Sequence, residues 1–294
     1  MDAEIIDGKA VAAKWHAATR ARVARLADER GVVPCLGVIL VGEDPASVSY
    51  VTAKERACEA DGLKSRQVRL PATASQEDVL RAVRALDADP EVHGVLVQLP
   101  LPRHIDETAV VNAISPEKDV DGFTDVNAGR MLVGGACLLP CTPHGIVRLL
   151  EEEDVATAGA HAVVVGRSNI VGRPLANLLS RKGPGANATV TLCHTGTRDL
   201  GAYTRQADIL VVASGRPGTV TGDMVKPGAV VIDVGVNRVA DISAKRGYRL
   251  VGDVDFAGAS KVASKITPVP GGVGPLTIAM LVENTVEAAE RQTR

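Results

Sequence analysis

Tyr50 and Lys54 stand four residues apart in Ser47 to Ala60, a stretch patterned as a helix, so the two share one face. A lysine taken out of water, or set beside a positive neighbour, serves as both base and acid. Tyr50 would then sit close enough to orient it or a substrate; a half-buried surface pair is the plainer reading. Gln98 falls at the carboxyl end of a predicted buried strand, just before Leu99-Pro100-Leu101-Pro102. A polar side chain there needs a partner. It either caps nearby backbone groups or meets a ligand, because ligands of open α/β sheets bind beyond the carboxyl ends of the strands. Asp119, Asp121 and Asp125 surround Gly122 and Phe123. They resemble a calcium loop only superficially, since the remaining acidic ligands and the distal Glu are missing. Each fits a turn-capping role; one buried carboxylate would instead clamp an amino-pyrimidine-like group through two parallel hydrogen bonds.

A second chemistry belongs to Ala162 to Pro174, AVVVGRSNIVGRP. A buried strand runs into Gly166, a loop carries Arg167, Ser168 and Asn169, and Gly172 and Pro174 open a helix. Strand, glycine loop and helix together aim backbone N–H groups and a helix N-terminus at an anion. The usual dinucleotide pattern is G-x-G-x-x-G; here Ser168 replaces the second glycine. A tight turn with no ligand is the alternative. An NAD site usually places an acid after the next strand to hold the ribose hydroxyls. This chain has Cys193-His194-Thr195-Gly196-Thr197-Arg198 there and no carboxylate until Asp199. With Arg167 in the glycine loop, donors and positive charge favour a 2′-phosphate, hence NADP.

These residues need a scaffold, and the chain alternates helices and strands. Lys9 to Arg30 reads as a long helix ended by Gly31. Strands are expected at Cys35–Val41, Ser65–Leu70 and Val92–Leu99, and helices at Ser75 to about Leu86 and Ile105–Ile114. Ser115 to Gly135 reads as irregular, the kind of long connection that often carries function. A helix ending at Glu153 leads into a second domain. There Ala162–Val165, Thr189–Leu192, Asp208–Ala213 and Ala229–Val234 read as strands, with a short extra one at Tyr248–Gly252. Thr267 to Pro275 is a proline-stiffened loop, followed by a last helix to about Ala289. The expected class is α/β in two domains: 1–140 with 275–294 as a catalytic α/β domain, and 141–274 as a Rossmann-like parallel-sheet domain for the nucleotide.

Composition excludes several classes. The 294 residues are 46% hydrophobic and 23% charged with net charge -2, as in soluble globular proteins. No basic cluster interleaved with aromatics is present, so nucleic acid is not an expected partner. The five cysteines form no C-x-x-C pair and the six histidines are scattered, so no metal site is expected and the thiols read as small buried hydrophobes. With no secretory leader in view, the cysteine usage points to the reducing cytoplasm. No apolar run of about eighteen residues exists, so no membrane span is expected.

Five segments together resemble one family, the bifunctional methylenetetrahydrofolate dehydrogenase/methenyltetrahydrofolate cyclohydrolase enzymes. They are Ser49-Tyr50-Val51 with Lys54, Val97 to Pro102 (VQLPLP), Pro116 to Phe123 (PEKDVDGF), Gly166 to Pro174 (GRSNIVGRP) and Thr267 to Thr277 (TPVPGGVGPLT). The resemblance spans nearly the whole chain. It implies an N-terminal α/β folate domain, a C-terminal NADP domain with a cleft between, a last helix returning to the first domain, and a homodimer through the nucleotide domains. It implies oxidation of 5,10-methylenetetrahydrofolate by NADP+ and hydrolysis of the methenyl product to 10-formyltetrahydrofolate, with no metal. By resemblance, Lys54 is catalytic chiefly in hydrolysis, Tyr50 stacks near the reacting part of the folate, Gln98 tunes the lysine with Leu99 beside it, and Asp121 holds the pterin. Pro268, Val269, Pro270, Gly271 and Gly272 line the folate/nicotinamide side. Gly166, Arg167, Ser168, Ile170, Ser214, Gly215 and Val236 are cofactor positions. Thr195 stands where many NADP-using relatives have a serine near the 2′-phosphate.

Overall fold

The chain opens on β1 (Glu4–Ile5) and the long helix α1 (Gly8–Arg30), in a computed structural model that describes residues 2–244 and 247–293. Its contacts divide into two units. One joins the N-terminal stretch through Ala12 to Thr142–Thr277; the other joins Ala13–Cys141 to the chain from Ile278 onward.

The Ala13–Cys141 unit carries β2 (Cys35–Val41), α2 (Pro45–Ala60), β3 (Lys64–Leu70), α3 (Gln76–Ala88), β4 (Gly94–Val97), α4 (Glu107–Val111) and α5 (Asp125–Leu132). Its sheet is parallel, in the order β3-β2-β4. The middle strand, CLGVILV, is buried throughout, as a strand covered on both faces must be. Helix α2 starts at Pro45 because Asp44 accepts from the N–H groups of Ala46 and Ser47, and proline suits the first helical position. A reciprocal Ser75–Asp78 capping box starts α3. The Gln98 N–H donates to the Ile39 carbonyl at 2.8 Å, so Gln98 leaves the sheet at its carboxyl end. Val95 donates to the Lys118 carbonyl at 2.7 Å and bridges to Asp119, which lays the segment leading to Asp121 alongside β4. The stretch expected to be irregular therefore contains α5, whose start is capped by the Thr124 hydroxyl on the Asn127 N–H.

The other unit carries α6 (Cys141–Glu152, its first residue still in the unit just described), β5 (His161–Val165), α7 (Gly172–Ser180), β6 (Thr189–Cys193), α8 (Leu200–Thr204), β7 (Ile209–Val212), β8 (Val230–Asp233), β9 (Asn237–Ala240), β10 (Tyr248–Val251), α9 (Phe256–Ala259) and β11 (Lys265–Ile266). The final helix, α10 (Val273–Gln292), starts in this unit and ends in the other, and α1 does the same. The six-stranded sheet runs β6-β5-β7-β8-β11-β1, every pair parallel. Without β1 this is the doubly wound order 2-1-3-4-5. Its direction of winding reverses between β5 and β7, so the loops after those strands diverge and leave a crevice at their carboxyl ends. β10, the short extra strand expected from the sequence, pairs antiparallel with β9, for which no strand is expected, in a separate ribbon.

One domain assignment needs correcting. The first twelve residues do not belong with the segment that follows them: Glu4 and Ile5 pair with Lys265 and Ile266 and extend the six-stranded sheet. Leu276, Ala279, Met280 and Val282 of α10 are all buried, and the helix begins at Val273, with Pro275 in its first turn. No helix among the described residues is long and apolar enough to cross a membrane.

Candidate active site

Lys54 lies on α2 and is only 9% exposed. Its Nζ donates to Gln98 Oε1 at 3.1 Å, while Gln98 Nε2 donates to the Leu99 carbonyl at 2.7 Å. The backbone bond thus fixes the amide so that its oxygen faces the lysine, and the capping reading of Gln98 describes its Nε2. Tyr50, one turn earlier on the same helix, is 46% exposed. The three aspartates separate cleanly. Asp119 is spent on structure: its oxygens accept from the N–H groups of Phe123 (3.1 Å) and Thr124 (2.8 Å) and from Asn127 Nδ2 (2.9 Å). Asp125 is exposed and accepts from Asn112 Nδ2 at 3.0 Å. Asp121 feels the charge of Lys54. Burial pushes its carboxyl up, the Lys54 ammonium pulls it down, and Asp119 adds a smaller upward push.

Two residues near Asp121 were not anticipated. The Cys141 thiol donates to the Val120 carbonyl at 3.3 Å and lies 3.9 Å from Asp121 Oδ1; burial raises it well above the ordinary thiol range. It is buried, as expected, but it also sits at the site. Asn284 of α10 donates through Nδ2 to the carbonyls of Val120 and Leu139, both at 2.8 Å, and so holds the segment just before Asp121. The available signal was one amide in LVENTV, in the last helix, whose neighbouring Leu281, Val282 and Val286 read as buried.

A cavity of about 430 Å³ opens at the switch point of the six-stranded sheet. The loop after β5 supplies Gly166, Arg167 and Ser168, the segment after β6 supplies His194, Thr195 and Thr197, and the loop after β7 supplies Ser214, Arg216 and Thr219. Gly166 has φ +129°, and a Cβ there would overlap the Ala213 carbonyl oxygen. Gly172 passes so close to Gly166 that its Cβ would overlap that residue's carbonyl. Ser168 takes over where a glycine is usual: its hydroxyl accepts from the N–H groups of Val171 (3.1 Å) and Gly172 (3.4 Å) at the start of α7. Among the described residues no carboxylate lines the cavity, whereas two arginines and several hydroxyls do. That donor set and volume fit a nicotinamide dinucleotide bearing a 2′-phosphate.

Of the expected cofactor residues, Gly166, Arg167, Ser168, Thr195 and Ser214 meet around this cavity; Ile170, Gly215 and Val236 are not in its lining. Arg216 was missed, although it is a cation in the loop after the strand beyond the switch point. Pro268, Gly271 and Gly272 form a tight loop in the same unit as the cavity, with the Gly272 N–H donating to the Pro268 carbonyl at 2.9 Å. Thr267 anchors it: its hydroxyl accepts from the Asp233 N–H at 2.8 Å. Among the described residues, no group of three His, Cys, Asp or Glu side chains is placed to hold a metal.

Both units match known proteins. Residues 6–121 match the model of the tetrahydrofolate dehydrogenase/cyclohydrolase catalytic domain, and residues 140–293 match that of the same family's NAD(P)-binding domain. The bifunctional protein FolD of Azoarcus sp. is 56% identical over 294 residues, covering 100% of this chain and 99% of its own. The Campylobacter jejuni bifunctional enzyme FolD, a methylenetetrahydrofolate dehydrogenase/cyclohydrolase, superposes with a TM-score of 0.91 at 46% identity over 98% of each chain. Trypanosoma brucei N5,N10-methylenetetrahydrofolate dehydrogenase-cyclohydrolase, solved with NADP cofactor and inhibitor, gives 0.95 at 42% identity over 100% of this chain and 99% of that one. With both of its units matched and its full length shared with such relatives, the chain belongs to the tetrahydrofolate dehydrogenase/cyclohydrolase family.

Proposed function

We propose that the chain oxidises 5,10-methylenetetrahydrofolate to the 5,10-methenyl compound with NADP+ and hydrolyses that product to 10-formyltetrahydrofolate. The observation that carries the reading is the buried Lys54, held by Gln98 at 3.1 Å, its charge acting on the carboxyl of Asp121. Bound NADP+ supplies the acceptor for the hydride that leaves the methylene carbon. The substrate's own nitrogens stabilise the cation left behind, so this step asks the protein for alignment rather than for a strong acid or base. Arg167, Ser168, Thr195 and Arg216 bind the cofactor's phosphates and ribose, and Asp121 holds the pterin through paired hydrogen bonds. Tyr50, exposed on the same helix as Lys54, covers the reacting part of the folate.

Hydrolysis needs a proton carrier. A water O–C bond forms at the cationic methenyl carbon with loss of one water proton to solvent; the adduct then collapses, its O–H giving up the second proton as the formyl C=O forms, the bond to N5 breaks, and N5 gains a proton. The Lys54 ammonium gives N5 its proton and is restored by the proton leaving the adduct's hydroxyl, with Nζ oriented by the Gln98 carbonyl oxygen. The same reading makes the chain a cytoplasmic homodimer associating through its nucleotide-binding units. Five free cysteines suit a reducing compartment, and β6 leaves the six-stranded sheet an unpaired edge.

The test follows nicotinamide reduction with 5,10-methylenetetrahydrofolate, with NADP+ and NAD+ side by side, while the methenyl product is monitored. Reduction with NADP+ and loss of methenyl faster than in an enzyme-free control is the expected result; a persistent methenyl signal leaves a dehydrogenase alone. Replacing Arg167 by Ala should weaken NADP+ by roughly tenfold or more and NAD+ much less, because a charge-assisted bond to the 2′-phosphate is lost. Equal losses for both cofactors would place Arg167 on the shared pyrophosphate instead.

A further inference from the structure

Two buried carboxylates in the nucleotide unit lie outside the cavity lining. Asp253, with no exposed surface, follows β10; Asp233, 4% exposed, ends β8. Neither makes an ion pair among the described residues. Every oxygen is spent on N–H donors, which is what lets a carboxylate stay buried. Asp233 Oδ1 accepts from the N–H groups of Gly235 (3.0 Å) and Asp253 (2.9 Å), and its Oδ2 accepts from Val254 (2.9 Å). Asp253 Oδ2 in turn accepts from the N–H groups of Ser214 (2.6 Å) and Gly215 (2.8 Å), and its Oδ1 from Asn237 Nδ2 (2.8 Å). The two form a relay: the end of a core strand fixes Asp253, and Asp253 fixes the loop after β7.

That loop supplies Ser214, Arg216 and Thr219 to the cofactor cavity. Inside it, the Ser214 and Thr219 hydroxyls lie 2.7 Å apart, and Thr219 Oγ1 donates to the Arg216 carbonyl at 2.8 Å. The loop is thus one knotted piece, tied to the framework at Ala213, whose N–H donates to the Val165 carbonyl at 2.7 Å, and at Val220, which bridges to Val254. Between those ties, the Asp253 carboxylate is the anchor for its two leading N–H groups.

We propose that Asp253, backed by Asp233, is a positioning residue for the nicotinamide cofactor: it holds the Ser214–Gly215 turn at the register that presents Ser214, Arg216 and Thr219 to the dinucleotide. The inference rests on the NADP reading above and adds to it a residue that never touches the cofactor.

The test measures NADPH binding by fluorescence titration, together with NADP+ KM, kcat at saturating cofactor, and methenyl hydrolysis without cofactor. For Asp253→Ala we expect NADPH binding and KM weakened about 30-fold, kcat within threefold and hydrolysis within twofold of wild type. Asp253→Asn, which keeps one acceptor oxygen but loses the charge, should recover most of the loss, to about fivefold. A residue that only stabilises the fold would move the melting temperature and lower both activities together, leaving NADPH affinity of the folded protein intact; that pattern overturns the proposal. If the alanine variant does not fold, the asparagine variant decides, since unchanged affinity there overturns it as well. Wild-type protein that binds NADPH without turnover would remove the functional reading yet leave the affinity comparison valid.

Discussion

Replacing Lys54 by Met should slow methenyl hydrolysis by roughly 10³-fold while NADPH affinity stays within about twofold, because a positioned proton carrier is worth about 10²–10⁴ in rate. Methionine keeps the length and apolar stem of the side chain and takes nothing but the ammonium from a position that is 9% exposed. It removes a buried charge, which favours folding, but leaves Gln98 Oε1 without its donor, which costs about 1–3 kcal/mol. These terms oppose, so the melting temperature should move little and the activity loss can be assigned to chemistry. Oxidation of the methylene substrate needs alignment more than proton transfer and should fall much less. The measurements are the decay of the methenyl absorbance, the cofactor-reduction rate and an NADPH titration on one preparation. Wild-type hydrolysis in the folded variant would take Lys54 out of the mechanism.

Gly166→Ala should give the mirror image. The alanine must adopt φ +129° and place its Cβ on the Ala213 carbonyl oxygen. Relief requires the backbone to move, at a cost of roughly 3 kcal/mol or more. The residues that must shift are those at the mouth of the cavity, Arg167 and Ser168. NADPH affinity is therefore expected to fall by at least about 100-fold, with a lower melting temperature for the nucleotide unit. Hydrolysis of supplied methenyl substrate, proposed above to use Lys54, Gln98 and Asp121 in the other unit, should persist wherever the protein stays folded. A variant with wild-type affinity would show that the loop after β5 is not where the cofactor's phosphates bind.

The residues of the proposed hydrolytic site stand in patterns that are local in the sequence. Tyr50 and Lys54 are one helical turn apart, and Gln98 closes a run of apolar residues. What separates Asp121 from Asp119 was not legible. Both stand in the same loop, and the difference is which of them receives the N–H groups of Phe123 and Thr124, a matter of how the turn closes. The glycine loop was readable as a strand-to-helix turn, but Arg216 reaches the same cavity only because β7 lies next to β5 across the switch point. Helix α5 had a signal, Thr124 followed by Asp125, that the long irregular stretch around it obscured. β1 had none: two residues carry no periodicity, and the partner strand lies at the opposite end of the chain. Asn284 is similar, since an amide in an apolar helix declares a need for a partner without naming Val120 and Leu139.

The pairing of Glu4–Ile5 with Lys265–Ile266 also orders events in time. During synthesis the N-terminus emerges first, so β1 is among the earliest residues made and must wait for almost the whole chain before its partner exists. The Ala13–Cys141 sheet assembles in the meantime, yet it too lacks Asn284 and the rest of α10 until the last residues appear. A nascent product halted before Lys265 therefore ends with β8 as a bare sheet edge and with the segment before Asp121 untethered. Connectivity alone makes nearly full-length synthesis a condition for completing either half, so a prematurely terminated chain is not a smaller enzyme but an exposed edge ready for aggregation or proteolysis.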